Sequence, residues 1–196
     1  LDHMNRIEKL KESIRFIKKR GIESTEFGII LGTGLGGLVK KIEHIIVLDY
    51  EEIPHFPLTT LSHNKGKLIY GTLFGKKVLV FDVRFHLYEA YDFFEITYSV
   101  RIMKLLGVKN LVLSNAAGAI NLEFKKGEIM LIEDHINLQG GSPLAMKNIE
   151  EFGERFVDMS QPYNQKSIEI LTTIARENEI IMHQGVYVAV VGPQLE

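Results

Sequence analysis

A chain of 196 residues, 45% apolar and 24% charged, is long enough for one sizeable domain and apolar enough to bury a core. Its net charge of −2 gives no basic face and so excludes nucleic acid as a principal partner, because phosphate backbones are held by clustered Lys and Arg. There is no cysteine, which removes disulfides and thiolate metal ligands, and no apolar run long enough for a membrane-spanning helix, so a cytoplasmic protein with no membrane partner is expected.

The first four residues, "LDHM", read as a cloning remnant, with the domain expected over 5–196. From Arg6 to Lys19, Ile7, Leu10, Ile14 and Ile17 recur at helical spacing and predict a helix closed by Gly21. "FGIILG" (27–32) predicts a buried strand running into glycines, and "HIIVLDY" (44–50) a second strand. "GKLIYGTLFGKKVLVFDV" (66–83) reads as two strands joined by a tight turn at Phe74-Gly75. A helix follows, with Asp92 as N-cap and Glu95 at the capping-box position; Ile96, Val100, Met103 and Leu106 form its inner face and Gly107 ends it. "NLVLSNAAG" (110–118) is a strand entering a small-residue loop, and "EIMLIEDHIN" (128–137) is another strand. Residues 138–163 show no period; "QKSIEILTTIAREN" (165–178) is a helix and "GVYVAVVG" (185–192) a last strand. Interleaved strands and helices predict an α/β fold: one domain with a mixed central β-sheet flanked by helices.

In such folds ligands gather beyond the carboxyl ends of strands, and that is where the polar and glycine-rich stretches fall. "GTGLGG" (32–37) lets backbone amides approach an anion, with Thr33 as an added donor and a helix start behind. The pattern alone leaves open a plain strand-to-helix turn, and a dinucleotide loop with Asp49 as the ribose acid, although Asp49 comes early for that role. In "RFHLYE" (84–89), Arg84 and His86 share a face of an extended segment. Arg84 can grip a phosphate with two donors, His86 can add a third, and Glu89 can fix the imidazole tautomer. Tyr88 suits a sugar; a surface ion-pair cluster is the alternative. "SNAAGAIN" (114–121) exposes backbone amides at another strand end, or serves close packing. His135 reads as structural, and His44, His55 and His183 have no partner evident in sequence. No H-x-x-x-H or carboxylate cluster predicts a metal, and no G-x-S-x-G a nucleophilic serine.

Taken in order, "GIILGTGLGGL", "IPHFP", "GKLIYGTLFGKKV", "RFHLYEAY", "LGVKNLVLSNAAGAIN", "KKGEIMLIEDHINL", "FGERFVDMS" and "GVYVAVVGP" resemble the trimeric class of purine nucleoside phosphorylases. The resemblance implies phosphorolysis of purine ribonucleosides or deoxyribonucleosides to free base and (deoxy)ribose 1-phosphate. It implies no cofactor, inorganic phosphate as co-substrate, and a homotrimer. By motif it puts Thr33, Asn64, Arg84, His86 and the Ala116 amide around phosphate, with His86 and Glu89 catalytic. Tyr88 and Phe152 would contact ribose, Phe152 from a neighbouring subunit, and Ala117, Leu195 and Glu196 the base. Asn64 stands where the family has His, Val83 and Ala90 where it has Gly, and the family's C-terminal third is expected to be missing after Glu196. Reduced activity, or a non-catalytic purine- or phosphate-binding protein on the same fold, is the alternative expectation.

Overall fold

The computed structural model describes residues 2–59, 65–145 and 149–193. The backbone forms two compact units: Leu1–Ala116 with Pro143–Gly153, and Ala117–Ser142 with Glu154–Glu196.

The first unit holds α1 (Asp2–Lys19), β1 (Phe27–Ile30), β2 (Glu43–Asp49), β3 (Lys67–Leu73), β4 (Lys76–Phe81), α2 (Phe93–Ile96), α3 (Tyr98–Leu106) and β5 (Asn110–Leu113). Its sheet has the order β2-β3-β4-β1-β5. β1 runs parallel to β4 and β5, whereas β3 is antiparallel to β2 and β4. The expected mixed sheet is therefore present. Alternation sorts the strand residues onto two faces. Leu68, Tyr70, Leu79 and Phe81 join Leu10, Ile14 and Ile17 of α1 and Tyr98, Ile102, Met103 and Leu106 of α3 in one core. Ile69, Val78, Val80, Ile29 and Leu31 form a second core with Ile42, against which Leu38 and Val39 pack. Each fully buried Leu or Ile contributes about 1.5–3 kcal/mol.

The β3–β4 hairpin turns at Phe74 and Gly75, both with positive φ (48° and 79°), which matches the twist of the flanking strands. Asp92 caps α2 as expected: its carboxylate accepts from Glu95 N, and the Glu95 carboxylate accepts from Asp92 N, each at 2.8 Å. The single helix expected after Asp92 is broken at Thr97, whose hydroxyl donates back to the Phe93 carbonyl at 2.7 Å.

The second unit contains β6 (Ile129–Asn137), α4 (Gln165–Glu177) and β7 (Met182–Ala189), with β6 and β7 paired in parallel. β7 starts three residues earlier than its sequence pattern suggested. Asn164 caps α4, its side chain accepting from Ser167 N at 2.8 Å. Among the described residues no helix is long and apolar enough to cross a membrane.

Candidate functional site

Because β4, β1 and β5 are adjacent and parallel, their carboxyl ends lie side by side. The segments leaving those ends carry three of the polar stretches singled out by sequence: 32–37, 84–89 and the one that begins at Ser114. Ligands bind such edges because the loops there diverge and leave backbone groups exposed.

The glycine turn and the β5 tip meet directly. Gly32 N donates to Ser114 Oγ at 3.1 Å. A Cβ at Gly32 would sit 2.4 Å from the Ser114 carbonyl oxygen and 2.6 Å from Asn115 Cα, so only glycine permits this approach. Gly34 has φ +83°, the left-handed conformation that side chains resist. Thr33 between them is exposed at the turn. The helix expected behind the turn is a six-residue 3-10 helix, Gly36–Lys41, too short to add much of a dipole. The dinucleotide reading fails on topology: β2, which ends at Asp49, is an edge strand separated from β1 by β3 and β4 rather than lying beside it. Asp49 instead pairs with Lys67 Nζ at 3.6 Å.

Arg84 is half-buried, and its guanidinium donates to the Ser114 carbonyl. The arginine, the serine and the glycine turn are thereby linked across three strand tips. Phe85 is buried among Tyr50, Phe56 and Tyr91, which anchors the segment from the core side. Arg84 and His86 flank that anchor in the chain, Arg84 turned to the Ser114 carbonyl and His86 to Glu89.

Glu89 governs His86. Its carboxylate lies 3.0 Å from His86 Nδ1 and accepts His86 N at 3.2 Å, while Glu89 N donates to the His86 carbonyl at 3.1 Å. A proton held on Nδ1 by the carboxylate leaves Nε2 as the nitrogen that can address a ligand. Tyr88, exposed, stacks on the imidazole with centroids 4.9 Å apart. Ala90 ends this turn with φ 69°, so a side chain occupies a left-handed position there. Val83 has no positive φ, and its β-branch fits without strain. Ala116 is exposed at the β5 tip, with its carbonyl accepting from Asn115 Nδ2 at 3.1 Å.

Other expected residues stand apart. Phe152 is taken up inside the first unit: it is partly buried against the main core, and the Arg101 guanidinium lies 5.0 Å from its ring centroid. Phe156, which sequence reasoning passed over, is 90% exposed. Ala117 belongs to the second unit. Asn64, Leu195 and Glu196 lie outside the described residues. The histidines left without partners acquire them: His55 meets Glu12, His44 Nε2 lies 3.0 Å from the Val39 carbonyl, and His183 Nε2 lies 2.7 Å from Glu128. His135 is structural as read, with Nδ1 3.0 Å from the Tyr163 hydroxyl. Ser114 and Tyr50 were missed; their contacts span 82 and 33 residues, beyond any local pattern.

Comparison with known proteins gives a consistent result. Residues 26–196 match the family model described as the phosphorylase superfamily. The chain is 43% identical to purine nucleoside phosphorylase 1 of Bacillus subtilis, over 96% of this chain and 70% of that protein. It is 39% identical to the Bos taurus purine nucleoside phosphorylase, over 96% and 67%. A crystal structure of a purine nucleoside phosphorylase in complex with ribose-1-phosphate superposes with a TM-score of 0.92 at 41% identity, covering 97% of this chain and 72% of that one. The Schistosoma mansoni enzyme in complex with adenosine gives 0.90 at 40% identity, covering 97% and 68%.

Proposed function

The chain belongs to the purine nucleoside phosphorylases of the phosphorylase superfamily, and we propose that it cleaves purine ribonucleosides or deoxyribonucleosides with inorganic phosphate. The products are the free base and (deoxy)ribose 1-phosphate. The observation that carries the reading is the link from Arg84 through Ser114 to the glycine turn, which supports one anion site at three strand tips.

In this reading an oxygen of hydrogen phosphate bonds to C1′ as the C1′–N bond breaks, the electron pair leaves with the purine, and the proton the phosphate gives up balances the one the purine takes up. Positive charge grows on the sugar and negative charge on the base. The protein's task is positioning and electrostatics. Thr33, Asn64, Arg84, His86 and the Ala116 amide hold phosphate. Glu89 orients His86, Tyr88 lies along the sugar, and Ala117, Leu195 and Glu196 address the base. Phosphate is a co-substrate, and the reading calls for no cofactor or metal. A cytoplasmic homotrimer, with the domain over 5–196, is part of the proposal. Phe156 is the better candidate than Phe152 for completing a neighbour's ribose site, since its ring is exposed.

The test is phosphate-dependent release of hypoxanthine from inosine, or guanine from guanosine, by the folded chain at saturating substrates. Arg84→Ala is expected to abolish measurable phosphate binding and cut turnover by about 10²–10³. Unchanged phosphate affinity in that variant would remove Arg84 from the site. Purine or phosphate binding without any turnover would select the non-catalytic binder instead.

A further inference from the structure

Tyr50 follows the last residue of β2 and is fully buried. Its ring packs on Phe56, Phe81 and Phe85, with centroids 4.5, 6.0 and 5.9 Å away. Its hydroxyl donates to the Val83 carbonyl at 2.7 Å and accepts from Val83 N at 3.3 Å. One phenol therefore satisfies both backbone groups of the residue before Arg84 and packs its ring on the residue after it. Burial pushes the phenol well above its ordinary range, so it remains a donor throughout the working pH range. Arg84 itself is long and flexible; its direction depends on where residues 83 and 85 hold its Cα.

We propose that Tyr50 is a positioning residue for Arg84, its hydroxyl fixing the Val83 backbone so that the guanidinium is presented at the β5 tip. This rests on reading Arg84 as a phosphate ligand. A tyrosine kept only for packing would need no hydroxyl, and Phe would fill the same space. The hydroxyl is spent on the peptide adjoining Arg84.

Inorganic phosphate titrated calorimetrically into Tyr50→Phe, Phe56→Leu and Arg84→Ala tests the proposal, with thermal melts alongside. Phe56→Leu perturbs the same aromatic cluster and leaves the hydroxyl bridge in place. Tyr50→Phe is expected to weaken phosphate by about tenfold, as a displaced clamp would. Phe56→Leu should melt at least as early yet keep phosphate affinity within about twofold. Full affinity in Tyr50→Phe, or an equal loss in Phe56→Leu, overturns the positioning role. If Tyr50→Phe keeps its affinity while Arg84→Ala loses it, only the Tyr50 proposal fails. If Arg84→Ala keeps its affinity, the phosphate-ligand reading fails first and Tyr50 falls with it. Hydrogen exchange on the unaltered chain gives a readout independent of any variant. Coupling is reciprocal, so added phosphate should slow exchange at the Val83 amide and leave the Ile46 amide of β2 unchanged. A Val83 amide indifferent to phosphate also overturns the proposal.

Discussion

The Arg84 guanidinium donates to the Ser114 carbonyl, joining the segment after β4 to the tip of β5 over the end of β1 between them. The hydroxyl of the same serine accepts from Gly32 N. Ser114→Ala keeps the first bond and deletes the second. A stability loss of about 1 kcal/mol is expected for the lost hydrogen bond. Phosphate affinity should also fall, because the glycine turn is no longer tied to the arginine's partner. Calorimetry with inorganic phosphate and urea melts read the two effects separately. An unaltered phosphate affinity would leave Ser114 a structural role only.

The three glycines of the G-x-G-x-x-G pattern do different jobs. Gly32→Ala puts a methyl group into the backbone of residues 114 and 115, and overpacking of this kind costs about 1–3 kcal/mol or more. Gly34→Ala meets no atom within 4 Å, but its φ of +83° penalises a side chain by about 1–2 kcal/mol. Gly37→Ala has neither problem and should stay within about 0.5 kcal/mol of the parent. Equal losses in all three, measured by urea denaturation, would contradict this division.

Ala90→Gly is expected to stabilise the chain. Ala90 sits at φ 69° and ψ 18°, closing the turn that holds His86 and Glu89. Glycine there relieves left-handed strain of about 1–2 kcal/mol, partly offset by the greater freedom it gives the unfolded chain. A net gain of about 1 kcal/mol should appear as a raised melting temperature. A lowered one would mean that the alanine methyl makes a contact worth more than the strain.

Asp82 adjoins Val83 at the end of β4 and is half-buried. Burial raises its carboxyl above the ordinary 3.8, opposed by the Lys67 amide that donates to it. A carboxyl raised in the folded state contributes stability below its unfolded value, and that contribution is lost as pH rises through the folded value. At neutral pH the buried charge is thus a cost. Asp82→Asn keeps an acceptor for the Lys67 amide and carries no charge. Its melting temperature should match or exceed the parent's at neutral pH, with the gain shrinking as pH falls through the carboxylate range. A variant less stable at neutral pH than in acid, relative to the parent, would reverse the sign.

Much of the fold was legible in local pattern. Alternation in 66–83 marked two strands and their turn, and the Asp92–Glu95 spacing marked a helix start, because both depend on groups within a few residues of each other. The break at Thr97 was not legible, since Thr is an ordinary helix residue until its hydroxyl bonds back to Phe93. The 3-10 turn behind the glycines and the packing of Phe152 on the main core were not legible for a related reason: each is decided by what the segment packs against.

The polar stretches at 32–37, 84–89 and 114–121 were visible in the chain as chemistry without an address. Sequence alone determined that such residues exist at strand ends, because side-chain type and period are properties of covalent neighbours. Only the tertiary structure decided that Ser114 joins Arg84 to Gly32 and that Tyr50 grips Val83, because those contacts bring together residues 30 to 82 positions apart. Such contacts form only once the strand order β4-β1-β5 has set the three tips side by side.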